Sequence, residues 1–216
     1  MNMWFRFAPI ILVLILSILA CSTGSPSVQQ AASGETLFED NFSNPTSGWD
    51  RIQDNDGKTD YVDGKYRIAV NTSDTDVWAN PGKKYGDVSL QVVAAKVSGT
   101  DDNDYGLICR YVDSENFYFL VISSDGYYGI GKVKDGKHIL VNREEMLPSE
   151  DIRKGEESNT IRADCVGSTL SLSVNGKLLD TQQDSEFLTG DVGLLAGTFG
   201  EAGVEVEFDD FKVKMP

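Results

Sequence analysis

The sequence predicts an all-β fold, with two antiparallel sheets packed face to face in one sandwich. Three observations support this prediction. Apolar residues alternate with polar or small ones almost everywhere after position 37, Asp-Gly or Asn-Gly pairs separate the alternating runs, and no convincing amphipathic helix is visible. Each alternating run is expected to place its apolar side chains on one face of a strand, so that one face is buried. We expect roughly a dozen strands.

The alternating runs follow one another from Leu37 to the end of the chain, with no internal repeat and no second domain. In chain order they are Tyr66/Ile68/Val70, Val88/Leu90/Val92, Leu107/Cys109/Tyr111, Phe117/Phe119/Val121, Ile161/Ala163/Cys165, Leu170/Leu172/Val174 and Val204/Val206/Phe208. The period of two in each run predicts a half-buried strand.

Four turn signals separate these strands. They are Asp63-Gly64, Asp125-Gly126, Asp135-Gly136 and Asn175-Gly176. Such pairs suit positions with φ > 0, which tight hairpin turns require, so neighbouring strands should run antiparallel. The segment Asn142 to Lys154 is the one place where a short helix could form, and Pro148 limits it to a turn or two.

The N-terminus reads as a secretory signal, predicted over residues 1–20. Arg6 precedes an uncharged run, residues 7–20, which is short for a membrane span and is followed by Cys21. A small residue directly before a cysteine resembles the lipobox of bacterial lipoproteins, although Leu19 departs from the usual small residue at its position. The resemblance implies lipidation of Cys21; an ordinary signal peptide or an uncleaved anchor is the alternative.

Residues 21–36 are mostly small or polar and predict a flexible tether behind the lipidated cysteine. The predicted sandwich domain then occupies residues 37–216. This organisation predicts an exported protein that is anchored to the membrane by its N-terminal lipid and faces the extracytoplasmic side, since each buried CH₂ of a lipid chain contributes about 0.8 kcal/mol to attachment.

Charge and residue counts exclude several classes of function. The chain has 19 Lys and Arg against 34 Asp and Glu, a net charge of −15, so a nucleic-acid partner is not expected. His138 is the only histidine, which leaves little material for zinc sites or Ser-His-Asp triads. Cys109 and Cys165 lie in alternating runs and could face the same core, so an exported domain could join them in a disulfide; two free buried thiols are the alternative.

Four segments resemble the concanavalin A-like lectin/glucanase superfamily. They are LFEDNFSNPTSGW, DYGLICRYVDSENFYFLVISSDGYYGI, ADCVGSTLSLSVNGKLL and GDVGLLAGTFGEAGVEVEFDDFKV, which together span about residues 37–213. The resemblance implies a jelly-roll sandwich in a bacterial lipoprotein. It leaves the activity open, because the superfamily holds lectins, laminin-G-like modules, glycoside hydrolases and structural domains.

The glucanase branch of that superfamily carries two glutamates and an aspartate on one strand. The nearest string here is Glu205-Val206-Glu207-Phe208-Asp209, which departs from that pattern in the order of its acids. With Val206 and Phe208 in the core, its carboxylates are expected on the solvated face. Catalytic residues are therefore not expected, and a glycoside hydrolase remains the alternative.

Asp101, Asp102 and Asp104 form the main candidate metal site. Their oxygens suit calcium, the one cofactor we consider, but their spacing matches no dedicated calcium loop, and a solvated strand connection is the favoured interpretation.

Candidate ligand-binding residues are Trp78, Tyr105, Arg110, Tyr127 and Tyr128, because sugar-binding sandwiches stack rings on exposed aromatics and use polar groups for the hydroxyls. Core packing is the alternative for each aromatic residue. The sequence thus predicts a non-catalytic module that binds carbohydrate or another extracellular ligand. A protein-interaction domain of an envelope complex is a further alternative.

Overall fold

The computed structural model describes Met1 and residues 33–216. The predicted signal peptide (1–20), the lipidation site Cys21 and most of the predicted tether (21–36) lie outside the described residues. Within the described part of the chain, no helix is long and apolar enough to cross a membrane.

Residues 33–216 contain sixteen strands. These are β1 Thr36–Asp40, β2 Gly57–Val62, β3 Lys65–Val70, β4 Thr75–Ala79, β5 Lys84–Tyr85, β6 Val88–Ser98, β7 Asn103–Asp113, β8 Asn116–Ile122, β9 Tyr127–Lys134, β10 Lys137–Leu140, β11 Leu147–Pro148, β12 Asn159–Val166, β13 Thr169–Val174, β14 Lys177–Gln183, β15 Gly190–Thr198 and β16 Val204–Lys214. The count exceeds the predicted dozen by four, and two of the additional strands, β5 and β11, have only two residues each. A period of two cannot be recognised over so short a length.

The strands form two antiparallel sheets of eight strands each. The first sheet has the order β14-β13-β12-β6-β16-β3-β2, with β1 paired to β16. The second has the order β10-β9-β8-β7-β15-β4, with β11 paired to β9 and β5 paired to β15. This is the predicted antiparallel sandwich.

Three of the four predicted turns have the backbone expected of them. Asp63-Gly64, Asp135-Gly136 and Asn175-Gly176 have positive φ at both residues and connect β2 to β3, β9 to β10 and β13 to β14. A two-residue hairpin with φ > 0 twice matches the right-handed twist of the strands. In the fourth pair, between β8 and β9, only Gly126 has a positive φ.

The core lies between the two sheets, where the apolar residues of most of the alternating runs meet; the predicted run Phe117/Phe119/Val121 lies on the outer face instead, and β8 contributes Tyr118, Leu120 and Ile122 to the core. Cys109 on β7 and Cys165 on β12, the predicted pair, are joined by a disulfide that links one sheet to the other. At one end of the sandwich, Asp40 accepts hydrogen bonds from the indole Nε1 of Trp49 (3.0 Å) and from the amide of Phe42 (2.8 Å). This contact fixes the loop that follows β1.

The two sheets differ in their outer faces. On the first sheet the outer face is solvated: Glu205 and Glu207 of β16 pair there with Arg67 of β3. The second sheet also has a buried apolar cluster on its outer face, with Ile108, Phe117, Phe119, Val121, Val133 and Leu195 at its centre. Trp78, Tyr111, Leu140 and Met146 pack against this cluster and cover part of that face. The remainder of the face forms a cavity.

Candidate functional site

The second sheet carries a cavity of about 330 Å³ on its outer face. Its apolar walls come from Phe119, Val121, Ile139, Leu140, Met146 and Phe199, and its polar groups from Asp74, Asp76, Asp104, His138 and Thr198. The volume lies at the lower end of the range for small-ligand pockets, roughly 300–1,000 Å³.

Two carboxylates meet at the floor of this cavity. Asp76 on β4 and Asp104 on β7 are both register partners of Gly197 on β15, so the three residues form one rung across the sheet. A Cβ added at Gly197 would clash with Asp76 Oδ1 on one side and with Asp104 Oδ1 on the other. A larger residue at this position would displace the ends of both carboxylates, because its Cβ would occupy the space into which they extend.

His138 closes the cavity from the opposite side. It lies on β10, at one end of the strand path, while Asp76 lies on β4 at the other end. Even so, His138 Nδ1 is 3.1 Å from Asp76 Oδ2, and the imidazole is 6.0 Å from the ring of Phe119. The sheet must therefore curve so that its two edges approach each other over its outer face.

The electrostatics of the cavity follow from these contacts. Asp104 is only 6% exposed, and burial together with the neighbouring Asp76 raises its pKa well above the ordinary range of a carboxyl group. The hydrogen bond with Asp76 raises the pKa of His138, against the opposing effect of partial burial. Asp76 contributes to both shifts, because it is a neighbour of Asp104 and of His138.

A second depression adjoins the cavity and shares Phe199 and Met146 with it. Its other lining residues are Asp102, Asn103, Ser123, Asp125, Tyr127 and Glu145. The cavity and this depression together are called the groove below. Two exposed aromatic residues lie along it, Phe199 (38% exposed) and Tyr127 (41% exposed).

Comparisons with solved structures identify the fold. A carbohydrate-binding module, CBM66, from Bacillus subtilis superimposes with a TM-score of 0.63 at 15% identity, covering 77% of this chain and 95% of that one. The Bacillus licheniformis beta-glucanase gives 0.61 at 12% identity, covering 87% of this chain and all of that one. A prokaryotic lichenase derived from a mouse hindgut metagenome gives 0.62 at 11% identity, covering 83% and 99%.

The fold is the concanavalin A-like jelly roll. The resemblance seen in the sequence is thereby confirmed at the level of the fold. No family model matches the sequence, and no curated protein matches it. At such low identities the similarity establishes the architecture alone, so the chemistry must be argued from the side chains of this jelly roll.

Three of the five predicted ligand-binding residues lie on or near the surface of the jelly roll. Tyr127 lines the groove and is exposed. Tyr128, its neighbour, points to the opposite face and packs against the core, on a strand that is paired on both sides. Trp78 lies on the outer face, where its ring is 5.4 Å from that of Phe117, and it forms part of the apolar cover of the sheet.

The structure corrects the prediction for Tyr105 and Arg110. Tyr105 is fully buried between the sheets, because it alternates with Leu107 and Cys109 on the inner face of β7. Arg110 is 1% exposed; it donates to the carbonyl of Phe187 at 2.9 Å and pairs with Asp87 at 3.2 Å. A bulge in the pairing of β7 with β8 follows Cys109, which explains why simple alternation misplaced Arg110.

The three predicted calcium ligands do not converge. Asp101 pairs with Lys96, Asp102 lies at the edge of the groove, and Asp104 enters β7 and faces the cavity. Among the described residues, no group of three or more His, Cys, Asp or Glu side chains could hold a metal ion. The separation follows from strand geometry. Because β7 begins at Asn103, Asp104 points to one face of a strand, whereas Asp101 and Asp102 lie in the connection before it.

Sequence reasoning missed the centre of the site. Asp76 is not among the residues that the sequence predicts for the site, and the sequence presents His138 only as the single histidine available for metal or triad chemistry. A signal for Asp76 was present: Thr75-Asp76-Val77-Trp78-Ala79 alternates, which places Asp76 on the same face as the candidate Trp78. No local signal could bring His138 to Asp76, because their contact depends on the curvature of a whole sheet.

Proposed function

We propose that this protein is an exported, lipid-anchored module that binds carbohydrate in the groove without hydrolysing it. The observation that carries the proposal is the composition of the groove: exposed aromatic rings at Phe199 and Tyr127 flank carboxylates and an imidazole. Sugars present an apolar ring face and a rim of hydroxyl groups, and this combination of groups can satisfy both.

The location of the two glutamates in the glucanase-like string argues against hydrolysis. Glu205 and Glu207, in the string that resembles the glucanase signature, lie on the outer face of the first sheet and pair with Arg67, away from the groove. The predicted solvated face is therefore observed. These carboxylates cannot reach a ligand bound on the second sheet.

The carboxylates at the floor of the groove are also poorly spaced for glycoside cleavage. Glycosidases hold their two carboxyl groups roughly 5–5.5 Å apart when they retain configuration and about 6.5–9.5 Å apart when they invert it. The facing Oδ1 atoms of Asp76 and Asp104 both crowd the position of the Cβ that Gly197 lacks. No anomeric carbon fits between them.

A glycoside hydrolase is nevertheless a second candidate, and one observation favours it. Asp104 has a raised pKa in a cleft beside a second carboxylate, which is the environment of a general acid. In this alternative a ligand would have to separate Asp104 from Asp76 before any chemistry. Release of reducing ends from a bound glycan would therefore decide for this candidate.

The anchoring part of the proposal rests on the residues before the jelly roll. The uncharged run ending at Cys21 and the polar segment after it predict a lipidated tether. A chain of 15 flexible residues has a root-mean-square reach of about 20–23 Å, which would hold the groove clear of a membrane surface. Globomycin-sensitive processing and mass spectrometry of the mature N-terminus would test this part independently of ligand binding.

A glycan array tests the binding function. The full chain would be solubilised in a detergent without a sugar head group and applied with calcium and with a chelator. We expect binding to a restricted set of glycans that persists in the chelator and is lost in Phe199→Ala. Leu178→Ala, which removes an exposed side chain from the other sheet, is the matched control. Silence across the array would contradict the proposal and favour a protein-interaction role.

A further inference from the structure

We propose that the ligand of the groove is a sugar that carries a free, positively charged amine, and that its ammonium group binds beside Asp104 and Asp76. This inference rests on the proposed carbohydrate function and specifies its ligand class. Three features of the cavity support it: its charge, an unpartnered buried oxygen, and its apolar walls.

The first feature is the excess of negative charge. Three acidic side chains line the cavity, those of Asp74, Asp76 and Asp104, of which Asp104 retains its proton in the free protein, and the lining among the described residues includes no Lys or Arg. His138 is the one basic side chain in this lining, and its Nδ1 is already paired with Asp76 Oδ2 at 3.1 Å. A cationic group on the ligand would therefore be attracted to the floor of the cavity, where low exposure weakens screening by solvent.

The second feature is Asp104 Oδ1. This atom is buried and has no hydrogen-bond partner, on a residue that is only 6% exposed and faces the cavity. Burying an acceptor without a donor is unfavourable, and such an atom in a native protein needs an explanation. An ammonium group has three donors and could reach Asp104 Oδ1 and Asp76 Oδ1 together, because the two oxygens flank the same glycine.

The third feature separates an amino sugar from a simple cation. Phe119, Leu140, Met146 and Phe199 give the cavity apolar walls around its acidic floor. A metal ion or a small polyamine would leave those walls without a partner. The ring of an amino sugar places C–H groups against them while its amine meets the carboxylates, so one ligand satisfies both surfaces.

Binding of such an amine has a proton balance that can be measured. Burial and the neighbouring Asp76 raise the pKa of Asp104, so the free cavity retains a proton that an ordinary aspartate would release. An ammonium group favours the ionised carboxylate, and the proton leaves to solvent when the complex forms. The other groups that face this proton are Asp74, Asp76 and His138, and His138 remains paired with Asp76.

Isothermal titration calorimetry of the full chain tests the inference with three probes of equal length: deacetylated chitohexaose, N-acetylated chitohexaose and cellohexaose. At mildly acidic pH we expect the deacetylated probe to bind at least about tenfold tighter than the other two, which corresponds to about 1.4 kcal/mol. Its apparent enthalpy should differ between phosphate and MOPS buffers by an amount that reports net proton release.

Asp104→Asn is expected to remove the preference for the deacetylated probe and the proton release, while Asp63→Asn leaves both unchanged. Asp63 makes a matched control because it is exposed in the turn between β2 and β3, has φ 52°, and loses the same charge. The wild-type buffer dependence requires no variant, so a misfolded Asp104→Asn would not leave the inference untested.

Two results would overturn the inference, and they differ from failure of the proposed function. Equal affinity for the amino sugar and a neutral sugar, without proton release, would show a carbohydrate site that has no amine specificity. Binding of cyclohexylamine as tightly as the amino sugar would show a general cation site. Failure of every sugar, here and on the array, would instead contradict the carbohydrate function itself.

Discussion

His138 Nδ1 lies 3.1 Å from Asp76 Oδ2, although the two residues belong to strands at opposite ends of the second sheet. This contact spans the outer face of the sheet and defines one side of the cavity. Asp76 also shares a rung with Asp104 through Gly197. One aspartate thus connects the only histidine of the chain with a buried carboxyl group, and the charge states of the site are linked through it.

The pKa of His138 gives the first prediction. The hydrogen bond that His138 donates to Asp76 raises this pKa above its ordinary value of 6.5, and Asp76→Asn should lower it. Because His138 is the only histidine, imidazole signals in an NMR pH titration belong to it without further assignment. A titration midpoint that is the same in both proteins would contradict the contact.

The same contact predicts a pH-dependent contribution to stability. A group whose pKa is raised in the folded state stabilises fully below its unfolded value, and the contribution disappears as pH rises through the folded value. The Tm difference between the wild type and Asp76→Asn should therefore be larger at about pH 5.5 than at about pH 8.5. Because the imidazole is half exposed, we expect this change to be small.

Asp104→Asn should have the opposite pH dependence. The folded protein keeps a proton on Asp104 above the ordinary value of 3.8, where the unfolded chain has lost it, so the wild type loses stability as pH rises through that window. The amide does not titrate, and the variant should gain stability relative to the wild type as pH rises above about 4. In thermal unfolding, each kcal/mol of this gain should raise Tm by about 2–4 °C, with Asp63→Asn as the control.

Gly197→Ala should destabilise the sandwich by about 1–3 kcal/mol, because the added Cβ would displace both carboxylates. The cost should fall in an Asp76→Ala/Asp104→Ala background, which gives a coupling energy of roughly 0.5–3 kcal/mol in denaturant unfolding. Gly86→Ala is the matched control, since its Cβ would meet nothing closer than Thr189 Cγ2 at 3.9 Å. Equal costs in the two backgrounds would show that the carboxylates do not crowd the glycine.

The disulfide predicts the effect of reduction. Cys109 and Cys165 are 56 residues apart in sequence and join the two sheets, so the bond closes a long loop in the unfolded chain. Chain entropy for a loop of that length corresponds to about 4 kcal/mol of stability. We expect a reductant to lower the unfolding midpoint of the wild type and to leave a Cys109→Ala/Cys165→Ala variant unchanged. A wild type indifferent to reductant would argue against the bond.

The sequence was sufficient for the strands because each strand carries its own evidence. Tyr66, Ile68 and Val70 alternate in the sequence and are buried together in the structure, and Asp63-Gly64 forms the hairpin turn before them. These signals are local, since they depend on which face a side chain takes and on which residues tolerate φ > 0. The resemblance of four segments to a known superfamily then predicted the arrangement of the sheets.

The site could be predicted only in part, because its residues are distant in sequence. Tyr127 and Asp102 are predicted from the sequence and line the groove. The predictions for Tyr105 and Arg110 are wrong, because Tyr105 lies on the inner face of β7 and Arg110 is buried at the bulge in that strand. The pairing of Asp76 with Asp104 requires the register of three strands. No alternation pattern contains that register, since pairing between β4, β15 and β7 is set by the topology.

The most direct test of the account is a titration of the ¹⁵N-labelled full chain with the tightest glycan from the array, followed by chemical-shift changes. We expect the shifts to concentrate at Gly197, Phe199, Phe119 and Tyr127, and the imidazole signal of His138 to move with them. Shifts confined to the outer face of the first sheet, with His138 unchanged, would contradict it.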